Sequence, residues 1–245
     1  MTGVVMDTHP DRDRLKREAA ESAVSQVEDG MLVGLGTGST AWFAVESLGR
    51  RVAEGLRIVA IPTSEQTAEH ARRLGIPLSS LADHLRLDLT LDGADEVELG
   101  HLNLIKGGGG ALLREKIVAS ASARLVIVVD ETKLVERLGV HFPVPVEVVS
   151  FGWQVTACRL TDLGGNPSLR VAADGQPFVT DGGHYILDCA FGPIADPARL
   201  GSQLKSVVGV VEHGLFIGLA SQVIVAGAAG VRALDRGRDE LPIYD

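Results

Sequence analysis

The chain has 245 residues, with 23 basic and 32 acidic side chains and a formal net charge of −9. That length buries a full core as one large domain or two unequal ones, and 45% hydrophobic with 22% charged residues excludes wholesale disorder. An acidic chain lacks the global basic field that nucleic-acid binding needs, and two cysteines without a CxxC or a Cys/His cluster exclude a disulfide framework and a structural zinc site.

The charged N-terminal stretch has no apolar h-region, so no signal peptide and a cytoplasmic location are expected. Apolar or small residues at Leu15, Ala19, Ala23 and Val27 predict an amphipathic helix over 15–27, closed by Asp29-Gly30. A short apolar strand over 31–35 leads through a glycine-rich turn into a helix over 41–49. Strand 57–61 ends at Pro62, helix 64–74 at Gly75, and strand 87–91 runs into Asp92-Gly93-Ala94-Asp95. Helix 110–121 and strand 124–129 continue an alternation that implies a parallel sheet covered on both faces. Beyond Gly139 the segments shorten and carry proline and glycine, with strand-like runs at 169–172 and 185–189 and a helix over 197–207. That is the pattern of a smaller α+β unit. The run 223–231 is too short to span a bilayer and reads as a buried strand entering a turn, so no membrane partner is expected.

Four groups of residues carry chemistry. Gly34-Leu35-Gly36-Thr37-Gly38-Ser39-Thr40 joins a strand to a helix, a geometry that presents free amides to an anion. Its spacing is neither the dinucleotide nor the P-loop motif. The hydroxyls of Thr37, Ser39 and Thr40 suit a phosphate monoester, or simply a tight turn with a Ser/Thr N-cap. Asp92-Gly93-Ala94-Asp95 lies at the carboxyl end of a strand, where open α/β sheets bind ligands. Two carboxylates that close are expected to raise each other's pKa and to handle sugar hydroxyl protons, unless they only form an Asx turn and a cap. Lys106-Gly107-Gly108-Gly109-Gly110 costs chain entropy yet passes straight into an apolar helix, which favours a backbone cradle with a cation at its mouth.

Glu115 is the fourth. Arg114, Glu115 and Lys116 advance about 100° each and cannot share one narrow solvent face. Glu115 falls on the stripe of Leu112, Val118 and Ala119, where burial raises a carboxyl toward the neutral pKa of a general base; an ion pair with a nearby lysine or arginine is the alternative. Lys133 lies just past a strand end and is either a ligand contact or a surface lysine. Lys16 carries a weaker signal, His184 reads as a turn residue, and no histidine has metal-ligand spacing, so no metal is expected.

In this order, the blocks 34–40, 91–96, 105–116 and 130–133, extended by 142–147, 163–166, 180–181, 209–211 and 214–216, resemble the type A ribose-5-phosphate isomerase family. The resemblance implies a Rossmann-like domain of 1–138 plus 223–245, with a smaller α+β domain of 139–222 inserted before the last strand. It implies interconversion of D-ribose 5-phosphate and D-ribulose 5-phosphate in the non-oxidative pentose phosphate pathway, without metal or nucleotide cofactor. In that reading Glu115 shuttles the proton through an enediolate, and Asp92, Asp95 and Lys106 handle ring opening and the oxyanion. Thr37 to Thr40, Asp92, Gly93, Ala94, Asp95, Lys106, Gly107 to Gly109 and Lys133 bind the sugar phosphate. A homodimer or homotetramer is implied as well. The rivals are the sugar-phosphate sensor half of a repressor, for which the segment before Leu15 is too short to add a DNA-binding domain, and a deaminase or CoA-transferase on the same architecture.

Overall fold

The structure is a computed structural model that describes residues 10–236. The N-terminal nine residues of the signal-peptide reading, and both ends of the expected larger domain, lie outside the described residues. In chain order the elements are α1 (Pro10–Val24), β1 (Leu32–Leu35), α2 (Ser39–Ala53), β2 (Val59–Pro62), α3 (Glu65–Arg73), β3 (Leu89–Asp92), β4 (Glu96–Glu98) and β5 (Leu104–Ile105). There follow α4 (Leu112–Ser120), β6 (Leu125–Asp130), β7 (Leu134–Val135), β8 (Val144–Val148), α5 (Trp153–Asp162), β9 (Asn166–Leu169) and β10 (Tyr185–Ala190). The last elements of the described residues are α6 (Pro197–Ser206), β11 (Val210–His213), β12 (Leu215–Phe216), β13 (Gln222–Gly227) and β14 (Gly230–Asp235).

The main sheet has the order β14-β13-β6-β3-β1-β2, parallel except for the β13–β14 hairpin. Successive side chains of a strand face opposite ways, and β6 shows the consequence. Val126 and Val128 join one core with α1 and α2, while Leu125, Ile127 and Val129 join a second with Val97, Phe216 and Val225. Both faces of the sheet are therefore covered, as the apolar strand sequences require.

A second sheet, β11-β8-β10-β9, is antiparallel and encloses its own core of Val144, Val146, Val148, Leu160, Leu187 and Leu204 under α5 and α6. Its strands are the ones least legible in sequence. Pro143 and Pro145 argue against an inner strand, yet β8 is one. The Pro145 carbonyl accepts the Gly214 amide just past the end of β11, so the N–H that proline lacks falls where the ladder stops. The strand expected at 169–172 instead runs over Asn166–Leu169, with Pro167 tolerated because β9 is an edge. Helix α1 starts at Pro10 rather than Leu15 and ends at Val24, since proline fits a first turn. A third small sheet, β12-β5-β4-β7, has strands of two or three residues, too short to leave a periodic signal. No helix among the described residues is long and apolar enough to cross a membrane.

Candidate active site

In the main sheet β1 is followed outward by β2 on one side and flanked by β3 on the other. The strand order thus reverses between β1 and β3, and a crevice opens beyond their carboxyl ends. That crevice is lined by Thr37, Gly38, Ser39, Thr40, Gly93, Ala94, Asp95, Lys106, Gly107, Gly108, Gly109, Glu115 and Lys133. Thus every expected site residue but Asp92 lines it, from segments far apart in sequence.

The first wall is the N-terminus of α2. Gly38 is the N-cap at φ 115°, a conformation side-chain-bearing residues rarely adopt, and no side chain caps the helix there. The first helical bond runs from the Trp42 amide to the Gly38 carbonyl, so the preceding amides stand ahead of it. The three hydroxyls of this loop separate. Thr37 turns inward to a buried cluster with Thr63, Ser64 and Thr67, at 2.8 to 3.2 Å, and so offers the crevice no free hydroxyl. Ser39 faces Lys16, whose Nζ donates to its Oγ at 3.1 Å. Lys16 is the residue that sequence reasoning undervalued. The available signal was its position one turn before the buried Ala19 and Ala20, on the face of α1 that points inward.

The floor is a buried charge cluster. Lys106 follows β5 and is 2% exposed. Its ammonium lies 2.9 Å from Asp92 Oδ2, 3.2 Å from Glu115 Oε1 and 2.7 Å from the Gly93 carbonyl, and 5.4 Å from the centre of the Phe216 ring. Burial opposes its charge, but Asp92 and Glu115 outweigh that, and the lysine is held charged well beyond its ordinary range. Asp92 lies beneath the crevice rather than on its wall: Oδ1 accepts the Gly93 amide at 2.8 Å and the Thr37 amide at 3.3 Å. It caps no helix.

Glu115 sits on the buried stripe of α4 with Leu112, Val118 and Ala119, while Arg114 reaches outward to Glu65 and Lys116 is held by Glu212 at 2.8 Å. The three charges do part company around the helix. Burial pushes the Glu115 carboxyl up to about 8, aided by the negative charges of Asp92 and Asp95 and opposed by Lys106. Its Oε2 is buried and has no hydrogen-bond partner among the described residues. Asp92 and Asp95 are also raised, but burial is the leading cause for each, so the expected mutual repulsion is not what raises them.

The glycine run forms the opposite wall. Gly108 passes so close to Asp95 that a Cβ there would lie 2.6 Å from its Oδ1, and the Gly108 amide donates to Asp95 Oδ2 at 2.8 Å. Lys133 ends a 3-10 turn after β6 and completes the rim. His184 is not on the cavity wall; its Nδ1 lies 2.9 Å from the buried Glu147. No group of three or more metal-ligating side chains able to hold an ion occurs among the described residues.

Residues 59–230 match the family model described as Ribose 5-phosphate isomerase A (phosphoriboisomerase A). A curated protein of Gloeobacter violaceus named Ribose-5-phosphate isomerase A is 63% identical over 224 residues, 91% of this chain and 97% of that one. Its namesake in Synechococcus sp. is 59% identical over 223 residues with the same coverage. The solved structure of ribose 5-phosphate isomerase A from Methanocaldococcus jannaschii superposes with a TM-score of 0.88 at 40% identity, over 91% of this chain and 99% of that one. A D-ribose-5-phosphate isomerase solved in complex with phospho-erythronic acid reaches 0.89 at 38% identity, over 92% and 99%.

Proposed function

This chain belongs to the ribose 5-phosphate isomerase A family, an isomerase family, and from that premise we propose that it interconverts D-ribose 5-phosphate and D-ribulose 5-phosphate through an enediolate, with Glu115 as proton acceptor. The observation that carries the proposal is a buried, unpaired carboxylate oxygen beside a buried ammonium: Glu115 Oε2 is free while Oε1 lies 3.2 Å from Lys106.

The phosphate is held at the start of α2 by the amides of Gly38, Ser39 and Thr40, with Ser39, Lys16 and Lys133 supplying hydroxyl and charge. The sugar extends toward Glu115 across the cradle of Gly107, Gly108 and Gly109 and past Gly93 and Ala94. Asp95 exchanges hydroxyl protons as the ring opens, and Asp92 keeps Lys106 charged and oriented. Glu115 then removes the proton from carbon 2 of the aldose to give the enediolate and returns it to carbon 1, while the hydroxyl proton of oxygen 2 passes to oxygen 1, leaving the carbonyl at carbon 2. A pKa near neutrality suits a group that must both take and give a proton. Lys106 neutralises the oxygen charge that develops in between. The relative that holds phospho-erythronic acid binds a ligand carrying both a phosphate and a carboxylic acid group, in accord with a crevice that offers an anion site and a buried ammonium.

We assign this chemistry to a catalytic unit of residues 1–138 plus 223–245, with 139–222 as a smaller supporting unit. The reaction belongs in the non-oxidative branch of the pentose phosphate pathway, in the cytoplasm. A homodimer or homotetramer accords with the exposed apolar side chains of Phe151, Val155 and Val208.

Two expected results follow directly. Gly38→Val forces a β-branched residue to φ 115°, displaces the amides that hold the phosphate, and should raise KM at least about tenfold; free ribose should be a very poor substrate for the same reason, because the remote binding energy is missing. Steady-state kinetics on both sugars check this, and equal turnover of ribose would contradict it. Lys106 already supplies the positive charge a metal would bring, so conversion of ribose 5-phosphate should survive exhaustive chelation. Activity lost to chelator and restored by one divalent ion would refute that.

A further inference from the structure

Phe142, Pro145 and Phe178 of the smaller unit lie against the glycine wall of the crevice, and Arg170 hydrogen-bonds to it. Arg170 follows edge strand β9, and its backbone is held on both sides: its amide donates to the Ile186 carbonyl at 2.9 Å, and its carbonyl accepts the Phe178 amide at 2.8 Å. Its guanidinium forks onto Asp188 of β10, Nε to Oδ2 at 2.9 Å and Nη2 to Oδ1 at 2.5 Å. The remaining nitrogen, Nη1, donates to the Gly107 carbonyl at 2.8 Å and the Gly108 carbonyl at 3.1 Å. The Gly107 carbonyl and the Gly108 amide are the two ends of one peptide group. At its far end that group donates to Asp95 at 2.8 Å.

We propose that Arg170, clamped by Asp188, is a positioning residue of the isomerase: by gripping the Gly107–Gly108 peptide at its oxygen it fixes and polarises the amide that holds Asp95 in the crevice. The inference rests on the reading of Asp95 as part of the site. Three features support it. A four-glycine run has little conformational restraint of its own, so a cradle made from it needs an outside clamp. A guanidinium bound at one end of a peptide strengthens the hydrogen bond at the other, because bonds in a chain polarise one another. Arginine rather than lysine is required, since only a planar fork can hold Asp188 with two nitrogens and still present a third to the carbonyls. The Gly108 bond and the positive charge of Arg170 both favour the ionised form of Asp95, against the burial that raises its pKa.

A double-mutant cycle on the full chain tests this, with Arg170→Met, Asp95→Asn and the pair, each measured for kcat, KM and melting temperature. Arg170→Met should lower kcat at least tenfold with KM changed less than threefold. Added to Asp95→Asn, it should cost less than a further twofold, because the residue through which it acts is already disabled. Arg170→Lys, which keeps the charge but not the fork, should recover only part of kcat and covers the case in which the methionine variant folds poorly. Effects that multiply fully in the pair, or an Arg170→Met enzyme with near wild-type kcat, would overturn the inference. An Asp95→Asn enzyme with wild-type kcat would overturn the reading of Asp95 itself, and is distinguishable because that single variant reports it alone.

Discussion

Glu115→Gln is expected to lower kcat by about 10²–10⁴-fold while leaving KM nearly unchanged, the range for a positioned acid–base group whose loss is felt only in the transition state. Glutamine keeps the shape of the side chain and a hydrogen bond to offer, but accepts no proton. Stability should move the other way. The folded carboxyl is raised from 4.5 to about 8, so the native protein holds a proton there that the unfolded chain has released. Its contribution is full below about 4.5 and is lost as pH rises through about 8. The glutamine variant lacks this loss, and its melting temperature relative to the wild type should climb between those two values. A purely structural ion pair with Lys106 predicts the reverse: lower stability and most of kcat retained. In the wild type, kcat/KM should fall as pH drops below about 8, since the base is then protonated.

Lys106→Met is expected to cost more broadly. Losing the cation that balances the enediolate should reduce kcat by about 10²–10³-fold, as removal of an oxyanion donor does. It also leaves Asp92, 1% exposed, without the charge that lies 2.9 Å from it. Breaking a buried pair from one side destabilises by about 3–5 kcal/mol. The sign of the pH dependence identifies the cause. With no ammonium nearby the buried carboxyls are raised further, so the carboxyl part of the deficit should be small while the wild type also holds them protonated and grow as pH rises through the range, reaching about 8 for Glu115, in which the wild type's own raised carboxyls ionise. Urea unfolding on both sides of that range measures it. A deficit independent of pH would point to lost packing against Phe216 instead.

Much of this site is legible in the sequence because its signals are local. The helical spacing of Glu115 with Leu112, Val118 and Ala119 marks a carboxylate on a buried stripe, and the four residues are indeed the buried ones of α4. The turn after β1 and the aspartates after β3 sit at strand ends, which a βα alternation already locates. What escaped depends on tertiary pairing. Arg170 reaches Gly107 across 63 positions, through strand pairing that no periodic pattern announces. Strand β8 was hidden by prolines whose cost depends on where the neighbouring strand stops. Thr37 lines the crevice as the loop's position implies, but the engagement of its hydroxyl in a buried cluster with Thr63 and Thr67 depends on tertiary packing that the motif does not announce.

The central claim is that one carboxylate carries the proton between neighbouring carbons, and isomerisation in deuterium oxide tests it most directly. A proton lodged on Glu115 beside an open crevice exchanges with solvent, so ribulose 5-phosphate formed by the wild type should carry deuterium at carbon 1. The folded Glu115→Gln variant should lose turnover and deuterium incorporation together. Product free of solvent deuterium, as a direct hydride shift would give, or a Glu115→Gln enzyme that still incorporates it at the wild-type rate, would contradict the account.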